Sequence, residues 1–205
     1  VVGITPSGEG DNVPGFSDKK MGGSIKYTDD SLGTDKLLTW ENTTKGISLK
    51  AEKIPFQYYD TTKKDWKTIA TGKAVEVKLK DNAELKVRIA GKKETKTEKG
   101  AFASKEATLT CTLLPATITI NGPTELMNNT PTAYTLEIKD GNGETLTGRT
   151  VTGTGIWNSS DSTVETVTND GKVEAKKSGT VTITAKLGKA EGKITITVEV
   201  PASDS

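Results

Sequence analysis

Between Ala116 and Val200 apolar and polar residues alternate in short runs, and each run stops at a turn built on Gly or Asn. Ala116–Ile120 alternates and ends at Asn121-Gly122-Pro123. Ala133–Lys139 puts Tyr134, Leu136 and Ile138 on one face and ends at Asp140-Gly141-Asn142-Gly143. Thr163–Val167, Lys172–Ala175, Thr180–Lys186 and Lys193–Val200 continue the series, separated by Asn169-Asp170-Gly171, Ser178-Gly179 and Leu187-Gly188-Lys189. A side-chain period of two belongs to a pleated strand. Asn-Gly and Asp-Gly pairs tolerate the positive φ of tight turns. Strands recurring at roughly 8–12 residues are the rhythm of an antiparallel sandwich.

Composition agrees. Of the 205 residues 32% are hydrophobic, low for one thick core but suited to thin sheets packed in pairs. Thr and Val are plentiful, and their branched β-carbons fit a pleated surface better than a helix. The length holds two domains of about 100 residues each. The expected fold is therefore all-β, as tandem antiparallel β-sandwiches.

The first half is less regular. Residues 1–22 are rich in Gly, Pro, Ser and Asp and read as a linker or extended lead-in. Strands are expected at Ser24–Tyr27, Lys36–Trp40, Gly46–Lys50, Phe56–Tyr59 and Trp66–Ile69. Ala74–Lys80 alternates cleanly, with Val75, Val77 and Leu79 inward. Asp81-Asn82 turns it, and Glu84–Ala90, with Leu85, Val87 and Ile89 on one face, is its expected hairpin partner. Lys92–Gly100 reads as an exposed loop, and Glu106–Leu113 as the last strand. Leu113-Leu114-Pro115 marks a stiff junction, because Pro fixes its own φ and restricts the residue before it. The expected layout is lead-in 1–22, a sandwich over 23–114, a second sandwich over 115–200 and a tail over 201–205. The chain reads as an excised fragment or a mature form.

Net charge is +1, which offers no overall field for nucleic acid or an anionic membrane. No run of about 18 apolar residues could insert in a membrane. There is no His, which removes the commonest general base near neutral pH and rules out Ser/His/Asp and Cys/His catalysis. The single Cys, Cys111, forbids an intrachain disulfide and, in phase with Leu109 and Leu113, reads as a small buried hydrophobe. No Gly-x-Gly-x-x-Gly segment leads a helix, so no phosphate cradle is expected.

Four separated motifs resemble a known family: Trp157-Asn158-Ser159-Ser160-Asp161, then Val164–Val167, then Asp170-Gly171-Lys172-Val173, then Ala175–Ala185 with Gly179 inside it. In this order and spacing they resemble the bacterial immunoglobulin-like domain group 2 over residues 115–200. The resemblance implies a small Greek-key sandwich of bacterial surface proteins, namely S-layer proteins, intimin-like adhesins and some phage tail proteins. It implies a structural pattern and no catalytic residue. The structural core expected from it and from side-chain size is Trp157, Val164, Val167, Gly171, Val173, Gly179 and Ile183. Residues 46–112 resemble, more loosely, repeat modules of Gram-positive surface proteins, through Tyr58-Tyr59 with Trp66, Leu85–Ala90 and Ala103-Ser104-Lys105.

Candidate sites are few. Asp140, Asn142 and Glu144 place oxygens at alternate positions, as part of a calcium loop would; an ordinary hairpin turn is the preferred reading. Asp29, Asp30, Asp35 and Glu41 could add carboxylates, with a solvated acidic surface preferred. No other cofactor is expected. The expected function is a non-catalytic structural module of a bacterial cell-surface or cell-wall protein, partnered by neighbouring domains and by self-assembly. Lysines from Lys73 to Lys86 would guard strand edges against uncontrolled pairing. The alternatives are an adhesin stalk or tip binding through Tyr58, Tyr59 or Trp66, and a phage tail decoration.

Overall fold

The computed structural model describes residues 3–10, 20–28, 36–90, 106–127, 130–149, 151 and 153–200. Among them there is no helix, and nearly every strand pairing is antiparallel. The chain divides into two compact units, the second taking up the chain from Pro115.

Among the described residues the first unit holds nine strands: β1 (Ile4–Gly10), β2 (Lys20–Tyr27), β3 (Leu38–Asn42), β4 (Gly46–Ala51), β5 (Phe56–Asp60), β6 (Asp65–Ile69), β7 (Ala74–Lys78), β8 (Glu84–Ile89) and β9 (Ala107–Thr110). One sheet runs β1-β2-β3-β4-β7 and the other β6-β5-β8-β9. Ile25, Leu38, Ile47 and Leu49 from the first sheet and Phe56, Ile69, Leu85 and Val87 from the second are buried. Burying each such side chain is worth about 1.5–3 kcal/mol, which is what holds two thin sheets face to face. Cys111 is fully buried, as is Leu113.

Two sequence expectations change here. The segment expected as a lead-in contains β1, which pairs along its length with β2. It escapes pattern reading because its backbone makes the ladder while, of the side chains described, only Ile4 is buried. The Trp40 indole N–H donates to the Ser7 carbonyl at 3.2 Å, tying β1 to the sheet. The second change concerns the expected hairpin. β7 pairs with β4, whereas β8 pairs with β5 and β9, so the two strands lie in different sheets. The link between them is an arch: the Asn82 amide donates to the Cys111 carbonyl at 2.8 Å, and the Asp81 carboxylate accepts the Leu113 amide at 2.9 Å. Asn82 takes a left-handed φ of 67°, which Asn tolerates better than most residues. Val75, Val77 and Leu79 are accordingly only half-buried.

The second unit holds β10 (Thr117–Asn121), β11 (Glu125–Leu126), β12 (Thr132–Ala133), β13 (Thr135–Lys139), β14 (Trp157–Ser159), β15 (Glu165–Val167), β16 (Lys172–Ala175), β17 (Gly179–Leu187) and β18 (Ala190–Val198). They form the groups β10-β13, β11-β18-β17-β14 and β12-β16-β15. The nine-residue ladder between β17 and β18 is its longest, and Val181, Ile183, Ala185 and Leu187 alternate inward along it. The β11–β18 pair is parallel. Residues 201–205, 92–105, Asp29, Asp30 and Asp35, on which sequence expectations were placed, lie outside the described residues.

Candidate functional site

Two places concentrate polar and aromatic chemistry, one in each unit. In the first, the β5–β6 hairpin pairs Tyr59 with Trp66 and Gln57 with Thr68, and β8 brings Arg88 opposite Gln57. These side chains share the outer face of the four-stranded sheet. Tyr59 and Trp66 meet edge to face, with centroids 5.3 Å apart and planes at 74°. The Arg88 guanidinium carbon lies 3.8 Å from the Trp66 ring centroid, a cation–π stack. Arg88 Nε donates to Gln57 Oε1 at 2.9 Å, which fixes the guanidinium plane. Gln57 in turn donates to Thr68 at 3.2 Å.

Tyr58 belongs elsewhere. Strand alternation turns its side chain to the opposite face from that of Tyr59, and both residues border a cleft of about 280 Å³ with Asp60–Lys63, Glu76–Leu79, Glu84 and Leu85. That volume sits at the small end of the range in which proteins enclose small molecules, about 300–1,000 Å³, and charged side chains form much of the wall. Of the three aromatics grouped by the sequence, Tyr59 and Trp66 form a two-ring platform while Tyr58 stands apart from it, and Tyr58 and Tyr59 both border the cleft; all three are half-buried.

In the second unit the motif residues are spent on packing. Trp157 on β14 lies against Gly171, whose φ is +89°; a Cβ there would sit 2.6 Å from Trp157 Cζ2 and 2.9 Å from the Tyr134 carbonyl oxygen. Gly171 therefore serves the turn and the indole at once. Val164, Val173 and Ile183 are buried, while Trp157, Val167 and Gly179 are only half-buried, so Trp157 is a partly covered anchor. Its Nε1 is nonetheless shielded and lacks a hydrogen-bond partner.

The sequence reading missed Glu165. It is 0% exposed, and neither carboxylate oxygen has a hydrogen-bond partner. Burial pushes its pKa up to about 7. The nearby Tyr134 hydroxyl, which donates to the Pro123 carbonyl, is pushed up to about 12, by burial first and by Glu165 second. A signal was present: in a strand of period two, Glu165 is in phase with Val167, on a face expected to be apolar. By contrast, hydrogen bonds from Thr163 and Thr168 hold Asp161 and Asp170 below the usual carboxylate range at the surface.

The calcium candidates form a capped turn. Asp140 is buried, and its Oδ1 accepts the amides of Asn142 at 2.8 Å and Glu144 at 3.1 Å. The Asp140 amide donates to the Glu144 carbonyl at 2.9 Å, closing the loop. Among the described residues no three Asp, Glu or Cys side chains converge as a metal site. Glu41, from the second acidic group, is exposed on β3.

No family model and no curated protein matches the chain. Among solved structures it is similar to the S-layer protein rSbsC(31-844), with 17% identity and a TM-score of 0.38 over 98% of this chain and 27% of that one. It is similar to SbsC domains 4 and 5, with 17% identity and a TM-score of 0.32 over 73% of this chain and 95% of that one. The mouse nectin-like molecule 4 ectodomain, Ig1–Ig3, gives 11% identity and a TM-score of 0.37 over 93% and 78%. The chain thus spans about a quarter of the longer S-layer structure. At these identities and scores none of the three assigns this chain a role; the all-β, two-unit architecture stands on the strands themselves.

Proposed function

We propose that the chain is a non-catalytic structural segment of a bacterial cell-surface or cell-wall protein, spacing and presenting the domains next to it. The observation that carries this reading is the fate of the motif residues between Trp157 and Ala185. Gly171, Val173, Ile183 and Ala185 are buried in the second unit, and Trp157 packs on Gly171, so the pattern specifies a scaffold. The resemblance of that pattern to the bacterial immunoglobulin-like group supports a surface location. The test is antibody labelling and protease shaving of intact cells of the source organism. Labelling of intact cells supports the reading; a signal found only after lysis overturns it.

The second reading is an adhesin, favoured by the Arg88–Trp66–Tyr59 stack. A rigid aromatic pair capped by a cation, half exposed on an outer sheet face, suits stacking against a sugar ring or a flat polar ligand. Glycan-array binding lost in Trp66→Ala with the fold retained would favour it over the spacer.

A further inference from the structure

The five-stranded sheet of the first unit ends at β7, and among the described residues no strand pairs with its outer edge. Which backbone groups face out follows from the ladder. The Leu79 amide donates to the Lys45 carbonyl at 3.0 Å, and β4 and β7 pair Ile47 with Val77 and Leu49 with Val75. Bonded residues alternate in an antiparallel ladder. Leu79, Val77 and Val75 therefore turn their amides and carbonyls toward β4, and Ala74, Glu76 and Lys78 turn theirs outward.

Such an edge invites another strand, and exposed lysines commonly blunt it. Lys73, Lys78 and Lys80 fit that role, but Glu76 does not. Glu76 and Lys78 are both exposed, and neither makes an ion pair within its own chain among the described residues. Val77, between them, is half-buried above the cleft instead of covered.

We propose that β7 is a self-complementary edge that joins a second copy of this chain, forming one continuous ten-stranded sheet about a two-fold axis at Val77. An axis normal to the sheet keeps each side chain on its own face, so opposed residues must share parity. Centring on Glu76 sets Glu76 against its own copy, and centring on Lys78 does the same for Lys78. Centring on Val77 opposes Glu76 to the second copy's Lys78, and Lys78 to the second copy's Glu76. It also places Val77 on Val77 and Val75 on Leu79, and it pairs the outward amides of Glu76 and Lys78 in the narrow, mutually bonded geometry. The lysines thus bar other strands and registers, while the single glutamate selects this one. The inference needs only the edge, so it stands or falls separately from the cell-surface reading.

The experiment is sedimentation velocity of the whole chain over a concentration series, with four proteins. The native chain should show a monomer–dimer equilibrium that weakens with salt. Glu76→Lys and Lys78→Glu each turn two attractive pairs into two like-charge pairs, and each should weaken the dimer about tenfold or more. The double reversal Glu76→Lys with Lys78→Glu should return it to within about threefold of native, since the pairs are then merely exchanged. Val77→Cys should form an interchain disulfide on mild oxidation, because a non-bonded antiparallel pair brings the two Cα atoms to about 4.5 Å; Glu76→Cys should not. A native chain monomeric throughout, a dimer indifferent to either single reversal, or a double reversal that stays as weak as the singles would each overturn the proposal. Both charged side chains are exposed, and melting curves control for the fold.

Discussion

Glu165→Gln isolates the cost of a buried acid. With an ordinary pKa of 4.5 and a folded value of about 7, Glu165 binds its proton more tightly in the folded chain. Folding of the second unit then takes up a proton between these values. The contribution of Glu165 to stability is most favourable below about pH 4.5, falls as pH rises through about 7, and levels off above it. The shift corresponds to about 3 kcal/mol, the expense of burying a carboxylate with no hydrogen-bond partner. For a unit of this size that is on the order of 10 °C in melting temperature. The chain has no His to titrate in this window, Asp161 and Asp170 titrate below it, and Tyr134 titrates far above it. Differential scanning calorimetry at pH 5, 6, 7 and 7.5 should show one transition moving down in the native chain. In Glu165→Gln that transition should be nearly flat and higher than native at pH 7.5. A native transition that is flat or rises across the window, or a variant that keeps the native slope, refutes the reasoning.

Other perturbations test the packing and the turns. Gly171→Ala forces a Cβ to 2.6 Å from Trp157 at a positive φ and should cost about 2–4 kcal/mol in denaturant unfolding, with Trp157 fluorescence perturbed. Asp140→Ala leaves two amides without their acceptor and should cost about 1–3 kcal/mol; if Asp140 acts only as a turn cap, the native chain and the variant should respond identically to millimolar calcium. Arg88→Ala removes the cation from Trp66 and should lower stability by only about 1 kcal/mol while shifting Trp66 emission; a loss above 3 kcal/mol would make the stack a structural keystone instead of a surface platform.

Much of the architecture is legible because alternation and turns act locally. The runs at Thr117–Asn121, Lys172–Ala175 and Gly179–Val198 become strands where period two and the Gly or Asn turns place them. Trp157 and Gly171 were both marked as core positions, but their direct contact was not, since no local signal links positions on β14 and before β16. The aromatic platform was half legible: Tyr59 and Trp66 are near in sequence, yet Arg88 reaches them only through the pairing of β5 with β8. Glu165 went unread because a charge inside a strand ordinarily marks the solvent face.

What the sequence alone determined is the class of most segments: pleated strands, tight turns and a chain without His chemistry. Only the tertiary structure decided who neighbours whom. Alternation assigns a side chain to a face and leaves its lateral partner open, so Ala74–Lys80 and Glu84–Ala90 read equally well as a hairpin or as an arch between sheets. The choice was made by bonds from Asp81 and Asn82 to Leu113 and Cys111, about thirty residues away along the chain, where no local pattern reaches. The same holds for β1, whose ladder rests on backbone groups that every residue but proline carries alike.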